Sequence, residues 1–346
     1  MASEDVLTLR VLAVEPLTAD SVTVTFDSTL DFKPGQFLTL AIPSSQTGVA
    51  ARCYSLCCVP GEQLTVGVKR TVDGYASNWI NSELRPGDEL RVLEPSGVFT
   101  PASLDADLLL FAGGSGVTPI LSIARTTLAR GTGRVVVFYA NRDERSVMFA
   151  SEWASLAAEH PDRLQVIHWL ESVQGLPTGE QIRAFIGSYL GYDAFVCGPA
   201  PFMRLVTGAL KELDFPRERR HQEKFVSLGG NPFGEDDSAE LAAVDAEDPE
   251  PSAQGPARLE VELDGTSYSF DDWDAGTTLL AHLERKGVKA PSSCREGECS
   301  ACAFRLLEGE VKLLKNDVLE AEDLADGIRL GCQALPVTDT VSVTYS

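Results

Sequence analysis

No run in this sequence approaches the roughly 20 consecutive apolar residues that a membrane-spanning helix needs, so a membrane protein is not expected. The start, MASEDVLTLR, lacks the basic-then-apolar order of a secretory signal. Bases are scarce: 29 Lys and Arg stand against 51 Asp and Glu, a formal charge of −22. That balance argues against nucleic acid and anionic membrane surfaces as partners. Histidine is scarcer still, with four in the chain. His160, His168 and His282 read as structural, and no acid–base side chain is required of them. What is present is a hydrophobic fraction of 44%, the level of an ordinary globular chain. At 346 residues, two or three domains are expected.

The most informative pattern is C-x4-C-x2-C, formed by Cys294, Cys299 and Cys302, with Cys332 following after 29 intervening residues. This is the spacing of a plant-type [2Fe–2S] ferredoxin, whose four thiolates hold two irons and two sulfides. In PSSCREGECSAC, Gly297 and the small Ser300 and Ala301 let the backbone wrap closely and aim amides at the sulfides. A zinc site or a disulfide pair is the alternative, although zinc favours two short paired spacings rather than a triplet and a singlet. Thiols that must ligate iron imply a reducing compartment, so a cytoplasmic protein is expected. Around the cysteines, RLEVELDGTSYSF reads as a hairpin across a DG turn, and Thr278–Lys286 as a helix ended by Gly287. Strands at Ala303–Leu307 and Val341–Tyr345 complete the order of a β-grasp ferredoxin. From Arg258 to Ser346 this module holds 17 acids and 9 bases, the composition of a face for a basic redox partner or of plain solubility.

Bases are absent altogether from Gly234 to Ala257, which holds eight acids with Pro249, Pro251 and Pro256. That composition predicts a flexible, self-repelling linker, with an acidic helix around Ser238–Asp245 as the alternative. Before it lie two further regions. The first hundred residues carry short strands (VLTLRVLAV, SVTVTF, GQFLTLAI, RCYSL, LTVGVKR, ELRVL) split by turns, which predicts a small antiparallel barrel. The next region alternates four apolar strands, DLLLFA, RVVVFYA, LQVIHWL and DAFVCG, with helical or loop segments. That alternation predicts a parallel sheet covered on both faces. The fold class is therefore multidomain: a β-barrel (1–102), an α/β nucleotide domain (103–230), a linker (231–257) and an α+β ferredoxin (258–346).

Arg52-Cys53-Tyr54-Ser55 combines a guanidinium suited to a pyrophosphate, a flat ring suited to an isoalloxazine and a hydroxyl that can reach flavin N5. Taken alone it also fits a strand with a surface arginine. Gly113-Gly114-Ser115-Gly116-Val117-Thr118-Pro119 follows an apolar strand and opens a helix, where free amides bind phosphate. Its glycines remove Cβ atoms that would hold a phosphate away. Cys197-Gly198-Pro199 ends the fourth strand, at the carboxyl edge where nucleotides lie.

R-x-Y-S, G-G-S-G-x-T-P and C-G-P in this order resemble the ferredoxin–NADP reductase superfamily, from about Val6 to Phe225. With the C-terminal ferredoxin, the layout is that of oxygenase reductase components. RCYSL, YANRD, KFVSLGGNPFG, CREGECSAC and NDVLEAEDL resemble those of the 3-ketosteroid 9α-hydroxylase and phenylacetyl-CoA epoxidase type. The resemblance implies that Arg52, Tyr54 and Ser55 hold FAD, with Lys69 and the turn Ala76, Ser77, Asn78, Trp79 at its phosphates. It implies that Gly113, Gly114, Gly116, Thr118 and Cys197, Gly198, Pro199 hold the nicotinamide nucleotide. His221-Gln222-Glu223-Lys224-Phe225 resembles the H-x-E-x-F of flavohaemoglobin reductase domains. Phe225 would then cover the flavin face with Glu223 close by, while Ser55 and Cys197 flank the hydride path; a plain core aromatic is the alternative for Phe225.

A nicotinamide gives two electrons as a hydride and a [2Fe–2S] cluster takes one at a time, so a flavin between them is required. FAD is favoured over FMN by the Gly74–Asn81 segment and by the resemblance. In Asn141-Arg142-Asp143-Glu144-Arg145 the acids disfavour a 2′-phosphate and the arginines favour one, and NADH is preferred to NADPH. The expected partner is a terminal Rieske-type oxygenase with a basic docking face, acting on a steroid or other ring compound. Alternatives are a reductase for a di-iron monooxygenase or desaturase, or a redox-sensing or electron-entry subunit.

Overall fold

The computed structural model describes residues 6–44, 48–72, 74–225, 232–233, 256–263, 265–319 and 321–345. These fall into two compact units. One comprises Val6–Pro95 and Phe99–Phe225; the other takes in Ser96–Val98 and the described residues beyond Phe225.

In the first unit, β1 (Val6–Thr18), β2 (Ser21–Phe26), β3 (Phe37–Ser44), β4 (Gly48–Ser55), β5 (Thr65–Lys69) and β6 (Glu89–Leu93) form one antiparallel sheet. Its order is β4-β3-β6-β1-β2-β5. The two end strands meet through a bridge between Leu56 and Val66, and Cys57 N–H donates to Thr65 O at 2.9 Å, which closes the barrel. Val24, Phe26, Leu38, Leu40, Leu56 and Val66 fill the interior. The Gly74–Asn81 segment is a helix, α1 (Tyr75–Ser82), which adds Ala76 and Ile80 to that core.

The same unit holds β7 (Leu108–Gly113), β8 (Val135–Asn141), β9 (Leu164–Leu170), β10 (Asp193–Cys197) and β11 (Arg220–Glu223) in the order β11-β10-β7-β8-β9. All the pairs are parallel. β7 is apolar along its whole length because helices cover both faces. Leu110, Val137 and Phe195 face α2 (Val117–Arg130) and α3 (Ala150–Glu159). After the short α4 (Glu171–Gln174), α5 (Gly179–Ile186) and α6 (Ala200–Glu212) cover Leu109, Phe111 and Val196. The fifth strand was absent from the sequence expectation. β11 reads RHQE, and as an edge strand it needs no apolar run.

The second unit is a mixed sheet of β12 (Ala257–Leu263), β13 (Thr266–Trp273), β14 (Ala303–Glu308), β16 (Ile328–Leu330) and β18 (Thr340–Thr344), in the order β13-β12-β18-β14-β16. β15 (Val311–Leu313) and β17 (Ala334–Pro336) pair separately. Residues of β12 alternate buried and exposed, and its hairpin to β13 turns through Gly265 at φ 75°. α7 (Leu279–Arg285) starts at Thr278, whose hydroxyl accepts from Ala281 N–H, and lays Leu279, Leu280 and Leu283 on the core. α8 (Ala321–Ala325) follows later. Most of the 231–257 linker lies outside the described residues, and β12 begins at its last residue, Ala257.

Candidate flavin, nucleotide and iron–sulfur sites

All four cysteines of the quartet are buried, and all eight in the chain are free thiols, which removes the disulfide alternative. The cysteine loop from Cys294 to Cys302 reaches its shape through three left-handed residues: Arg295 (φ 60°), Gly297 (φ 73°) and Ser300 (φ 50°). Non-glycine residues in that region cost on the order of 1 kcal/mol or more, so the loop must be held by its surroundings. Arg295 pairs with Glu284 at 2.8 Å, Gln333 Nε2 donates to Arg295 O at 2.9 Å, and Lys315 pairs with Glu298 at 2.7 Å. A Cβ on Gly297 would meet Lys315 O at 2.8 Å.

Backbone amides point at the sulfurs. Glu296 and Glu298 N–H donate to Cys294 Sγ at 3.4 Å. Cys294 N–H donates to Cys299 Sγ and Cys332 N–H to Cys302 Sγ, each at 3.4 Å. Neighbouring thiols first, and then these amides, hold Cys294 and Cys302 down towards thiolate, while Cys332, their partner, is pushed up. Among the described residues no three Cys, His, Asp or Glu converge as ligands on a single ion. Four thiolates that share two irons and two sulfides need no such point, and buried, amide-bonded sulfurs suit that group.

At the candidate nucleotide site, the turns after β7 and β10 meet where the strand order reverses, the crevice at which such sheets bind ligands. The glycines there divide by role. A Cβ on Gly116 would meet Cys197 O at 2.3 Å, one on Gly113 would meet Pro199 Cδ at 2.8 Å, and one on Gly198 would meet Gly113 Cα at 2.9 Å. Those three permit the two turns to pack together. Gly114 alone of the four has open space beside it, with φ 52°. The N-terminus of α2 carries no side-chain cap, and Thr118, buried beside it, donates its hydroxyl to Ser115 O at 3.1 Å.

Cys197 pairs in register with Glu223 on β11. Both are buried; desolvation pushes Cys197 well up, and lifts Glu223 to about 8. His221, stacked on Phe195 at 4.3 Å, is lowered to about 4 by burial and then by the charge of Arg217. Phe225 is 50% exposed, which does not fit the core alternative. In the run after β8, Asp143 accepts from Ser146 N–H at 2.9 Å as a cap, and Arg142 pairs with Asp20 at 3.5 Å.

Arg52, Tyr54 and Ser55 lie on β4; Ser55 is buried, and Tyr54 packs against the barrel core, where burial pushes its phenol pKa up and keeps it neutral. Arg52 donates to Ala51 O at 2.6 Å. At α1, Ser77 Oγ accepts from Thr71 N–H at 3.0 Å and Asn78 Nδ2 donates to Gly74 O at 2.8 Å. These two side chains build the preceding loop, while Trp79 packs on the core. The helix N-terminus has no side-chain cap and no acid in its first turn, as a phosphate requires. Lys69 pairs with Asp20 at 3.8 Å, and it is Arg70 that reaches α1, donating to Asn78 Oδ1 at 3.1 Å and Ser82 Oγ at 3.0 Å. Strand alternation, which turns Lys69 and Arg70 to opposite faces, is the signal in the sequence that separates them.

Residues 261–337 match the 2Fe-2S iron-sulfur cluster binding domain, and residues 110–208 match the oxidoreductase NAD-binding domain. The 3-ketosteroid-9-alpha-monooxygenase ferredoxin reductase component of Rhodococcus rhodochrous is 48% identical over 345 residues, 97% of this chain and 96% of that protein. A component of the 1,2-phenylacetyl-CoA epoxidase of Escherichia coli (strain K12) is 32% identical over 360 residues, 97% of each chain. Among solved structures, phthalate dioxygenase reductase superposes with a TM-score of 0.57 at 24% identity, covering 98% of both chains, a likeness of fold.

Proposed function

Because the chain belongs to the ferredoxin reductase family that serves oxygenases, as an NAD(P)H oxidoreductase with FAD and a [2Fe–2S] cluster, we propose that its terminal partner hydroxylates a 3-ketosteroid. The observation that carries this is 48% identity along nearly the whole length to the 3-ketosteroid monooxygenase component. An epoxidase partner rests only on the relative at 32%.

Bound FAD accepts a hydride and releases single electrons, and the cluster takes them one at a time. The residues of the chain bind and orient. Arg52 and the N-terminus of α1, with Arg70 beside it, would hold the pyrophosphate, with Lys69 turned to Asp20 instead. Tyr54 and Ser55 would lie along the flavin ring, and Phe225 over its other face. Gly114 and the first turn of α2 would take the nucleotide phosphates. Thr118, Cys197 and Pro199 would shape the nicotinamide pocket, and Glu223 would sit at its floor. NADH is the preferred donor: Arg142 is engaged by Asp20, and Asp143 and Glu144 leave an acidic rim.

The division at 1–102, 103–230, 231–257 and 258–346 belongs to this proposal, as does a cytoplasmic location. Among the described residues no helix is long and apolar enough to cross a membrane. The docking face is proposed on the second unit, where Glu260, Glu262, Asp271, Asp272, Asp274, Glu308 and Glu310 are exposed. The test is reconstitution: purified chain, NADH, the 3-ketosteroid oxygenase and its steroid should give hydroxylated product. Rapid cytochrome c reduction without product would keep the reductase and remove the steroid partner.

A further inference from the structure

The phenol hydroxyl of Tyr345 is buried, yet it finds no hydrogen-bond partner among the described residues. A buried hydroxyl is costly to leave unpaired, so a group that satisfies it on cluster assembly is to be looked for. Its position is fixed. Tyr345 N–H donates to Glu262 O at 2.9 Å, and its ring packs against Phe304 at 5.9 Å. A Cβ built on Gly331 would lie 2.7 Å from the hydroxyl and 3.8 Å from Cys302 Cβ. The hydroxyl therefore sits over the Gly331–Cys332 segment, alongside Cys302. Gly331 N–H donates to Cys302 O at 2.9 Å and Cys332 N–H to Cys302 Sγ at 3.4 Å, so this segment clasps the Cys302 side of the quartet. A phenol is protonated at neutral pH, so the hydroxyl is available as a donor.

We propose that Tyr345 donates its hydroxyl hydrogen bond to a sulfur on the Cys302–Cys332 side of the [2Fe–2S] cluster and thereby raises the cluster's reduction potential. The inference rests on the cluster assignment above. A hydrogen bond to a sulfur favours the more negative reduced state, so it pulls an electron from the flavin onto the iron. Tyr345 is a positioning and tuning residue and touches neither nicotinamide nor flavin in this role. The absence of a Cβ at Gly331 is part of the device, since any side chain there would displace the hydroxyl.

The test compares wild type with Tyr345→Phe in the full chain. Cluster content is read from iron, sulfide and visible absorption, and the midpoint potential from a titration followed by electron paramagnetic resonance. Tyr345→Phe should keep the cluster and show a three- to tenfold loss in its reduction equilibrium, where tenfold corresponds to about 59 mV for one electron. The reduced wild-type cluster should also show a strongly coupled exchangeable proton in electron–nuclear double resonance that Tyr345→Phe lacks and Tyr268→Phe retains. A cluster-bearing Tyr345→Phe with wild-type potential and an unchanged proton signal would overturn the proposal while leaving the cluster intact. Wild-type protein without a [2Fe–2S] spectrum would overturn the cluster assignment and this proposal together. If Tyr345→Phe purifies without cluster, Gly331→Ala decides: a lowered potential supports the proposal, and a wild-type potential overturns it.

Discussion

Cys197 and Glu223 are register partners on adjacent parallel strands, both sealed from solvent at the carboxyl edge of the sheet. Burial lifts the Glu223 carboxyl from 4.5 to about 8, and its charge in turn helps push the Cys197 thiol up. At neutral pH the pair is therefore held neutral.

That relationship sets a pH dependence of stability. With the folded pKa of Glu223 raised to about 8, the folded chain binds more protons than the unfolded one between the unfolded value and pH 8. Its stability falls as pH rises through that window, by at most about 1.4 kcal/mol per pH unit, and the loss is complete above it. Glu223→Gln, which cannot ionise, should melt higher than wild type above pH 8, and the two should converge near pH 4. Thermal melting of both proteins from pH 4 to 9 is the measurement; parallel curves would show that Glu223 is already ionised at pH 5.

Gly114 and Gly116 should respond differently to alanine. Gly116→Ala drives a methyl into the carbonyl of Cys197, 2.3 Å away and part of a buried strand end, so the melting temperature should drop steeply. Gly114→Ala meets open space and costs only about 1–2 kcal/mol for its left-handed backbone. It should nevertheless raise KM for NADH severalfold, because the methyl occupies the path of the phosphate. Equal melting losses with unchanged KM for Gly114→Ala would move the nucleotide away from this loop.

Much of this was legible in the sequence because the signals are local. The all-apolar β7, the alternation of β12 and the triplet Cys294, Cys299, Cys302 each state their structure within a dozen residues. β11 was not legible, since RHQE carries no period of its own and joins the sheet only through β10. The roles of the glycines were half legible: the sequence suggested a phosphate loop but not that Gly113, Gly116 and Gly198 serve contact between two turns far apart in the chain. Tyr345 gave no signal at all, because its distance from the cysteines is closed only by the pairing of β18 with β14 and β12.

Cys332→Ser should abolish NADH-dependent cytochrome c reduction and spare ferricyanide reduction. Loss of one thiolate disrupts the cluster, whereas hydride transfer takes place in the other compact unit, and ferricyanide can draw on the flavin. Cytochrome c reduction near the wild-type rate would remove Cys332 from the ligand set.

Arg52→Ala should weaken FAD binding by about 1.5–3 kcal/mol, the worth of a charge-assisted hydrogen bond to a phosphate. After gel filtration the variant should be depleted in flavin absorption but keep its iron–sulfur bands. Full flavin retention would place the pyrophosphate elsewhere, with Arg70 beside α1 as the next candidate.

The exposed acids of the second unit give the last prediction. Arg258 pairs with Glu260 at 3.0 Å and Lys286 with Asp272 at 2.5 Å, so part of the charge is balanced locally. Glu262, Asp274, Glu308 and Glu310 are exposed acids beyond those pairs, within a module of 17 acids and 9 bases. Such a surface attracts a basic partner over long range, and salt screens it beyond a Debye length of about 8 Å at physiological ionic strength. Electron delivery to the oxygenase should therefore fall severalfold from low to high salt, mainly through association. Ferricyanide reduction by the same protein should change far less, and in the opposite sense if at all, since ferricyanide is an anion that screening brings closer. The paired titrations decide between docking and solubility: a partner rate indifferent to salt would mean the acids keep the chain in solution and the contact is apolar.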